Sequence, residues 1–416
     1  LDLTRGGGVE DMRFDWTPQQ KALIREVRAF IKEHITPEVL QRLEEEGEEW
    51  GWGPTYRALR RKIYERGWIG IAVPKEYGGQ GGSRIDQYLV EEEFARAGVN
   101  IEVVGSGVPA ILAAGTEEQK RYFIPRLLTG EFVFALGFTE PQAGADLAGI
   151  QCRAVRDGDF YIINGQKMYT SAAHYATHIY LMVRTDPTAE RHRGLSILIV
   201  PMDTPGITVR PLWTIQNTPR APRGTTYGAP RTNEVFFDNV RVPVSCRLGP
   251  ENQGWYIAAG GLNLDRVGAW RYLISVKRDE DIVNWIKAHR EDGHPVARAA
   301  AQDPAIRDRI AELWIEAQVC RLMTLRSMSL VERGGNFTYE GSAEKVWAPE
   351  HGVRSTETIA QVLGPYAQLM NGSPLNIERG IFAHNLLGAF QSGINHGSVQ
   401  VMRDQVARRG LGLPRG

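Results

Sequence analysis

Phe138-Thr-Glu-Pro-Gln-Ala-Gly-Ala-Asp146 and Tyr161-Ile-Ile-Asn-Gly-Gln-Lys-Met-Tyr-Thr-Ser171 carry the strongest fold signal in the chain. Both lie in a region of short runs rich in β-branched and aromatic residues: Phe132 to Phe138, Cys152 to Val155, Tyr161 to Ile163, Ile179 to Val183, Leu195 to Val200 and Glu234 to Phe237. Such runs, bounded by turn residues, predict strands. Asp157-Gly158 between two of them predicts a tight hairpin, because both positions of such a turn must tolerate positive φ. Asp203 to Gly206 and Asp238 to Pro243 read as turns. The region is therefore an antiparallel β module. Taken alone, Thr139 and Ser171 are hydroxyls at strand ends.

Outward from the module the texture is helical on both sides. Thr17-Pro18-Gln19-Gln20 combines an N-cap, a proline at the first helical position and a glutamine placed to close a capping box. Leu23, Ile24, Val27, Phe30 and Ile31 then fall on one helical face, and Tyr56, Leu59, Ile63 and Tyr64 repeat the pattern from Pro54 to Arg66. Gly78 to Gly82 is a loop, with helix again from Ile85 to Ala97 and from Glu117 to Leu128. After Gly254 the helical pattern returns. Ala305 to Leu330 puts Ile306, Ile310, Leu313, Trp314, Ala317 and Cys320 on one stripe. Val353 to Leu363 and Ile377 to Arg409 add further helix, the latter broken near Gly393 to Gly397. The chain reads as an α+β multidomain protein: helical over residues 1–134, β over 135–250, helical over 251–416. Residues 1–11, ahead of Met12, read as a flexible leader.

Composition narrows the function classes. Among 416 residues, 49 Lys and Arg balance 49 Asp and Glu, so no global field favours nucleic acid. Cys152, Cys246 and Cys320 lie far apart. They form no metal-binding spacing and leave an odd thiol, which points to a reducing cytoplasm. No apolar run reaches the roughly 18–20 residues that a membrane helix needs. Dinucleotide-fingerprint, Walker A, His-Glu-x-x-His and Cys-x-x-Cys motifs are all missing, so nucleotide-hydrolase and metal chemistry find no support.

The α, β, α order with the two opening stretches resembles the acyl-CoA dehydrogenase family. Thr232-Asn-Glu-Val-Phe-Phe-Asp-Asn-Val-Arg-Val-Pro243, Leu262-Asn-Leu-Asp-Arg266 and Leu411-Gly-Leu-Pro-Arg415 match in the same order. The resemblance implies an N-terminal helical domain, a central antiparallel β-barrel-like domain and a C-terminal four-helix bundle, with FAD as cofactor. It assigns Thr139 to the pyrimidine edge of the flavin and Ser171 to N5, where a hydroxyl stabilises the reduced ring. Tyr169 stands where many members carry Trp, as an aromatic wall. Phe138 and Gly144 complete a strand and turn that let the backbone approach the cofactor, and Ala145 replaces the usual serine. Gln361 and Gly364 match a stretch that meets the ADP half of FAD from a neighbouring subunit, although Pro365 stands in for the second glycine. Ser398 and Gln400 match further cofactor positions. The family's Arg-x-x-Phe-Gly signature is missing, with Arg298 as a candidate substitute.

The implied reaction is α,β-dehydrogenation of an acyl-CoA thioester. A carboxylate takes the α-proton, a hydride leaves Cβ for flavin N5, and electrons pass to an electron-transfer flavoprotein. Most members place a glutamate just before Gly-Thr in the last helical segment. Here that position is His396, followed by Gly397 and Ser398. A second family placement, on a bundle helix before an arginine, corresponds to Asp265 and Arg266. Asp is about 1–1.5 Å shorter in reach than Glu. Asp265 as base with Arg266 holding the local charge is the first expectation and His396 as base the rival. In the alternative role, His396 and Gly397 bind substrate through backbone N–H groups at the thioester oxygen.

Residues 215–231 look longer than the matching family turn and read as a loop, with Arg220, Arg223 and Arg231 candidates for the CoA phosphates. The family usually assembles as tetramers, so a homotetramer or mixed tetramer is expected. Two alternatives stay open: a non-catalytic partner subunit of a mixed tetramer, and a flavin monooxygenase or nitroalkane-oxidising enzyme on the same fold.

Overall fold

The computed structural model describes residues 15–46, 53–102, 107–215, 225–226, 229–370 and 372–414, with residues 44, 225, 226, 229 and 262–265 described by backbone alone. The expected leader lies outside these residues. Helix α1 (Pro18–His34) opens as its sequence predicts. Thr17 Oγ1 accepts from Gln20 N at 3.2 Å, and the Gln20 side chain accepts from Thr17 N at 3.0 Å, satisfying donors that a helix start leaves unpaired. Helices α2 (Pro37–Glu45), α3 (Pro54–Glu65), α4 (Arg84–Arg96), α5 (Val108–Ala114) and α6 (Glu117–Thr129) follow.

Helix α4 is the joint between the helical regions. Residues Gln87 to Ala95 are all buried, charged ones included. Burial on every face is possible because two of the three glutamates meet cations from other elements, while Glu91 accepts from Gln87 within the helix. Glu93 receives Arg28 of α1 at 2.7 and 2.8 Å, and Glu92 receives Arg321 at 2.5 and 3.0 Å. Tyr88 Oη lies 2.8 Å from Tyr272 Oη.

The β region comprises β1 (Phe134–Gly137), β2 (Arg153–Asp157), β3 (Phe160–Lys167), β4 (His178–Arg184), β5 (Leu195–Pro201), β6 (Ile207–Pro211), β7 (Thr225–Thr226), β8 (Ala229–Pro230), β9 (Asn233–Pro243) and β10 (Arg247–Leu248). The main sheet runs β10-β5-β4-β2-β3-β9-β6, with β1 alongside β4. It is mostly antiparallel, but β1 and the start of β2 pair with β4 in parallel. The β2–β3 hairpin forms one residue later than the sequence suggests. Asp157 pairs with Phe160, and within the turn Gly158, at φ 58°, takes left-handed backbone while Asp157 stays in the strand. Asp238 to Pro243 is strand rather than turn. Asn239 adopts φ 50° within β9 opposite a register shift between Ile163 and Gly165, and its N–H donates to Asn164 Oδ1 at 2.9 Å. The turn-prone residues make a bulge in a continuing strand. The segment read as loop over 215–231 includes the small β7–β8 ribbon; Arg220 and Arg223 lie outside the described residues.

Helices α7 (Gly254–Asp265), α8 (Ala269–His289), α9 (Pro295–Gln302), α10 (Pro304–Glu332), α11 (Glu340–Leu363), α12 (Ile381–Gly388) and α13 (Val399–Gln405) complete the chain. Leu313, Ala317 and Cys320 of α10 are buried as expected, but Trp314 is 53% exposed. It sits about 100° round the helix from Leu313, beyond the contact face. No helix among the described residues is long and apolar enough to cross a membrane.

The bundle buries one carboxyl whose charge sets a pH dependence. Burial pushes Glu344 up to about 8, against the pull of hydrogen bonds from Ser327 and Thr324. A folded pKa above the unfolded value of 4.5 means the contribution is whole below that value and is lost as pH rises through about 8. Glu344→Gln removes this titration. The stability difference between variant and wild type should shift in the variant's favour across that window, by at most about 1.4 kcal/mol per pH unit, and level off above it in urea melts. A pH-independent difference would contradict the assignment.

Candidate active site

The two opening stretches are clamped together by a buried ion pair that their motifs do not announce. Lys167, the last residue of β3, is fully buried and donates to Glu140 Oε1 at 2.7 Å and to the Phe138 carbonyl at 3.1 Å. Glu140 also accepts from Gln142 Nε2 at 2.6 Å, Gln151 N at 2.7 Å and Cys152 N at 2.9 Å. Every strong acceptor direction of the carboxylate is in use, the condition under which a buried charge is tolerated. Beside the pair, Met168 N donates to the Thr139 carbonyl at 2.8 Å. The chain from Phe138 to Glu140 is thus held against the chain from Lys167 to Tyr169.

Beyond the clamp the backbone takes a strained path. Tyr169 and Ala172 adopt φ 55° and 67°, conformations that cost a non-glycine residue energy and gather at functional sites. The path is pinned to β9 and its approach. Thr170 N donates to Asn233 O at 2.9 Å, Asn233 N returns a bond to Thr170 O at 3.1 Å, and Ala172 N donates to Arg231 O at 2.9 Å. The result leaves the Tyr169 ring 59% exposed. Thr139 and Ser171 are half-buried. Thr170 Oγ1 and Asn233 Oδ1 are buried without a hydrogen-bond partner among the described residues. Phe138 packs its ring 5.7 Å from Tyr180. Gly144 and Ala145 lie in an exposed turn, and a Cβ on Gly144 would meet nothing within 4 Å.

A second constellation forms where α7 turns into α8. Asp265 ends α7, and its side chain lies outside the described residues. Arg266 is buried and donates from Nε to the His396 carbonyl at 3.2 Å. Arg271 Nη1 lies 3.5 Å from His396 Nδ1. Lys345 of α11 is buried and bonds the Ser392 carbonyl. Burial, reinforced by Arg271, Lys345 and Arg266, holds His396 far below the ordinary imidazole range. Burial, with Arg271 and Arg266, brings Lys345 down to about 7. His396 and Gly397 adopt φ 51° and 94°. A Cβ at 397 would sit 2.7 Å from Met402 Cε, so both backbone and space call for glycine there.

The expected sites therefore fall into three groups. Phe138 and Thr139 sit at the clamp, Tyr169 and Ser171 follow on the strained path beyond it, and Gly144 and Ala145 lie in the exposed turn after Glu140. Asp265, Arg266, His396 and Gly397 converge on the α7–α8 corner. Gln361 and Gly364, at the end of α11, and Gln400 on α13 are exposed, and Ser398 caps α13 by accepting from Val401 N at 3.4 Å. Arg298 is exposed on α9. Glu140, Lys167, Thr170, Arg271 and Lys345 were not anticipated. The available signal was a charge inside each of two strand motifs, at 140 and 167.

Three family models match in order: the acyl-CoA dehydrogenase N-terminal domain over residues 17–131, the middle domain over 135–240 and the C-terminal domain over 252–411. The acyl-CoA dehydrogenase FadE26 of Mycobacterium tuberculosis is 34% identical over 412 residues, covering 97% of this chain and 99% of the relative. Among solved structures, the Tcur3481-Tcur3483 steroid ACAD superposes with TM-score 0.82 at 32% identity, covering 97% of this chain and 100% of that one. The ChsE4-ChsE5 complex from Mycobacterium tuberculosis gives TM-score 0.80 at 33% identity, with 97% and 100% covered.

Lys167→Met strands the Glu140 carboxylate without its cation and should lower the unfolding free energy by roughly 3–5 kcal/mol. Adding Glu140→Gln to that variant should recover part of the loss. Denaturant unfolding of the single and double variants measures both. Strict additivity of the two substitutions would mean that the pair is not coupled.

Proposed function

This chain belongs to the acyl-CoA dehydrogenase family, and we propose that it removes hydrogen from Cα and Cβ of an acyl-CoA thioester with Asp265 as the base. One observation carries the reading: the bond from Arg266 Nε to the His396 carbonyl, 3.2 Å. It ties together the two chain segments at which the family carries its base. Of the two residues, Asp265 is the better suited. A proton taken up by His396 would face Arg271, Lys345 and Arg266 in a buried setting, which leaves the carboxylate residue Asp265 as the better base. His396 and Gly397 then serve through their backbone, whose left-handed turn supports N–H donation to the thioester oxygen as charge develops there.

FAD fits the β site by the chemistry of the residues present. Thr139 and Ser171 offer half-buried hydroxyls, Tyr169 an exposed ring, and Gly144 a turn with open space beside it. Phe138, Thr139, Gly144, Ala145, Tyr169 and Ser171 would hold the isoalloxazine, Ala145 through its backbone alone. Gln361, Gly364, Ser398 and Gln400 would meet the ADP half in an assembly with other subunits. When bound, FAD would supply the acceptor for the hydrogen leaving Cβ. The relatives described as a steroid ACAD and as the ChsE4-ChsE5 complex support a bulky acyl group and a mixed tetramer for this chain. On this reading the electrons would pass to an electron-transfer flavoprotein in the cytoplasm.

A non-catalytic role within a mixed tetramer is the second reading, favoured by His396 in place of a glutamate and by Pro365. The test is a visible absorption spectrum of the purified protein titrated with saturated acyl-CoAs. Stoichiometric flavin that bleaches on titration supports the dehydrogenase, and a colourless protein supports the second reading. Asp265→Asn should slow bleaching by about 10²–10⁴-fold with flavin content unchanged. Bleaching at the wild-type rate would remove Asp265 from the base role, and rapid reoxidation by oxygen would point to an oxidase or monooxygenase.

A further inference from the structure

Glu102 is a titratable group that the reaction above does not use, yet its carboxylate reaches the corner on which that reaction depends. It comes from the N-terminal helical region, in the chain after α4, with its own N–H held by Asn100 Oδ1 at 2.9 Å. Its Oε1 accepts from Trp270 N, in the first turn of α8, at 3.0 Å. Gly268, the N-cap of α8, makes no side-chain cap bond. A Cβ on Gly268 would lie 2.7 Å from Glu102 Oε1. That glycine is in extended backbone, which any residue adopts, so the close approach of the carboxylate is what excludes a side chain. Glu102 therefore occupies the place of the missing cap, from another part of the chain. The charge suits the positive end of a 21-residue helix.

On its other side Glu102 feels Arg271, and Arg271 reaches toward His396. The corner at 265–268 is thus braced from two directions. Glu102 holds the start of α8, while His396 accepts from Arg266 at the end of α7. Glu91, buried on α4, faces Glu102 and is pushed up to about 8 by burial and by that neighbouring charge, with Gln87 donating to it at 2.8 Å. Burial also raises Glu102, while Arg271 and the Trp270 N–H oppose the rise. Of the two carboxyls, Glu102 is the one whose neighbours, Arg271 and the Trp270 N–H, favour the charged form.

We propose that Glu102 is a positioning residue for the base: by capping α8 across the space left by Gly268 it fixes the corner that presents Asp265 and Arg266 to the substrate. The proposal rests on the reading of Asp265 as base. A base displaced by a fraction of an ångström loses rate without losing substrate affinity.

The test uses the full-length FAD-loaded protein with Glu102→Gln, Glu102→Ala, Gly268→Ala, the Glu102→Ala/Gly268→Ala double variant and Asp265→Asn. Three quantities are followed: the bleaching rate per bound flavin with a saturated acyl-CoA, the half-saturating substrate concentration, and hydrogen exchange at the Trp270 amide. Glu102→Gln keeps an acceptor but removes the charge. It should slow bleaching about 10-fold with half-saturation unchanged. Glu102→Ala should slow it further and speed Trp270 exchange. Gly268→Ala should mimic that loss, and the double variant should be no worse than Glu102→Ala, because the crowding atom and the crowded atom are then no longer both present. Wild-type rates per bound flavin in both Glu102 variants, with Trp270 exchange unaltered, would overturn the proposal. So would a lost rate that merely tracks lost flavin or a lowered Tm. If Asp265→Asn bleaches normally, the reading of the base fails whatever Glu102 does. If Asp265→Asn is inactive while the Glu102 variants are not slowed, only the present inference fails.

Discussion

The Lys167–Glu140 pair is the constraint on which the β site depends. A lysine at the end of β3 is fully buried, and the carboxylate that answers it comes from just beyond β1. Neither charge survives burial alone. The cation therefore dictates where residues 138–140 lie, and the carboxylate, through Gln151 N and Cys152 N, dictates where β2 begins. Such a pair adds little net stability over a well-packed apolar one, but it admits a single arrangement of its neighbours. Thr139 and Tyr169 inherit their positions from it, and the left-handed path at 169–172 is held by the strand bonds that follow.

The second dependence runs through α4. A helix buried on all sides usually reads as continuously apolar, yet this one carries Glu91, Glu92 and Glu93 in succession. Glu93 binds Arg28 of α1, Glu92 binds Arg321 of α10 and Tyr272 of α8, and Tyr88 meets Tyr272, so α4 orients α1, α8 and α10 relative to one another. Through α8 that orientation reaches the α7–α8 corner. The α7–α8 corner and the helical frame are thus connected by polar contacts, while the apolar core supplies the bulk of cohesion.

Electrostatics at the corner follow from the same geometry. Arg266, Arg271 and Lys345 gather near His396, and burial weakens solvent screening among them. The imidazole is left neutral and poorly basic.

Element order, capping at Thr17, most strand cores and the break after α12 follow from local patterns, because propensity and hydrophobic period act over a few residues. Thr139 and Ser171 stand out as candidate flavin contacts only through motif resemblance. Other features were out of reach. Asp238 to Pro243 has turn chemistry, but its pairing with β3 converts it to a bulged strand. Trp314 fits the apolar period, but the neighbouring helices leave it exposed. Lys167 and Glu140, or Glu102 and Gly268, meet across long stretches of chain, and a linear pattern holds no record of which distant charge neutralises which. Local pattern thus sets the order of α, β and α and the residue types of the chemistry. Tertiary structure decided which charges are buried together, since pairing energy depends on distance and dielectric, and those exist only once the chain is folded.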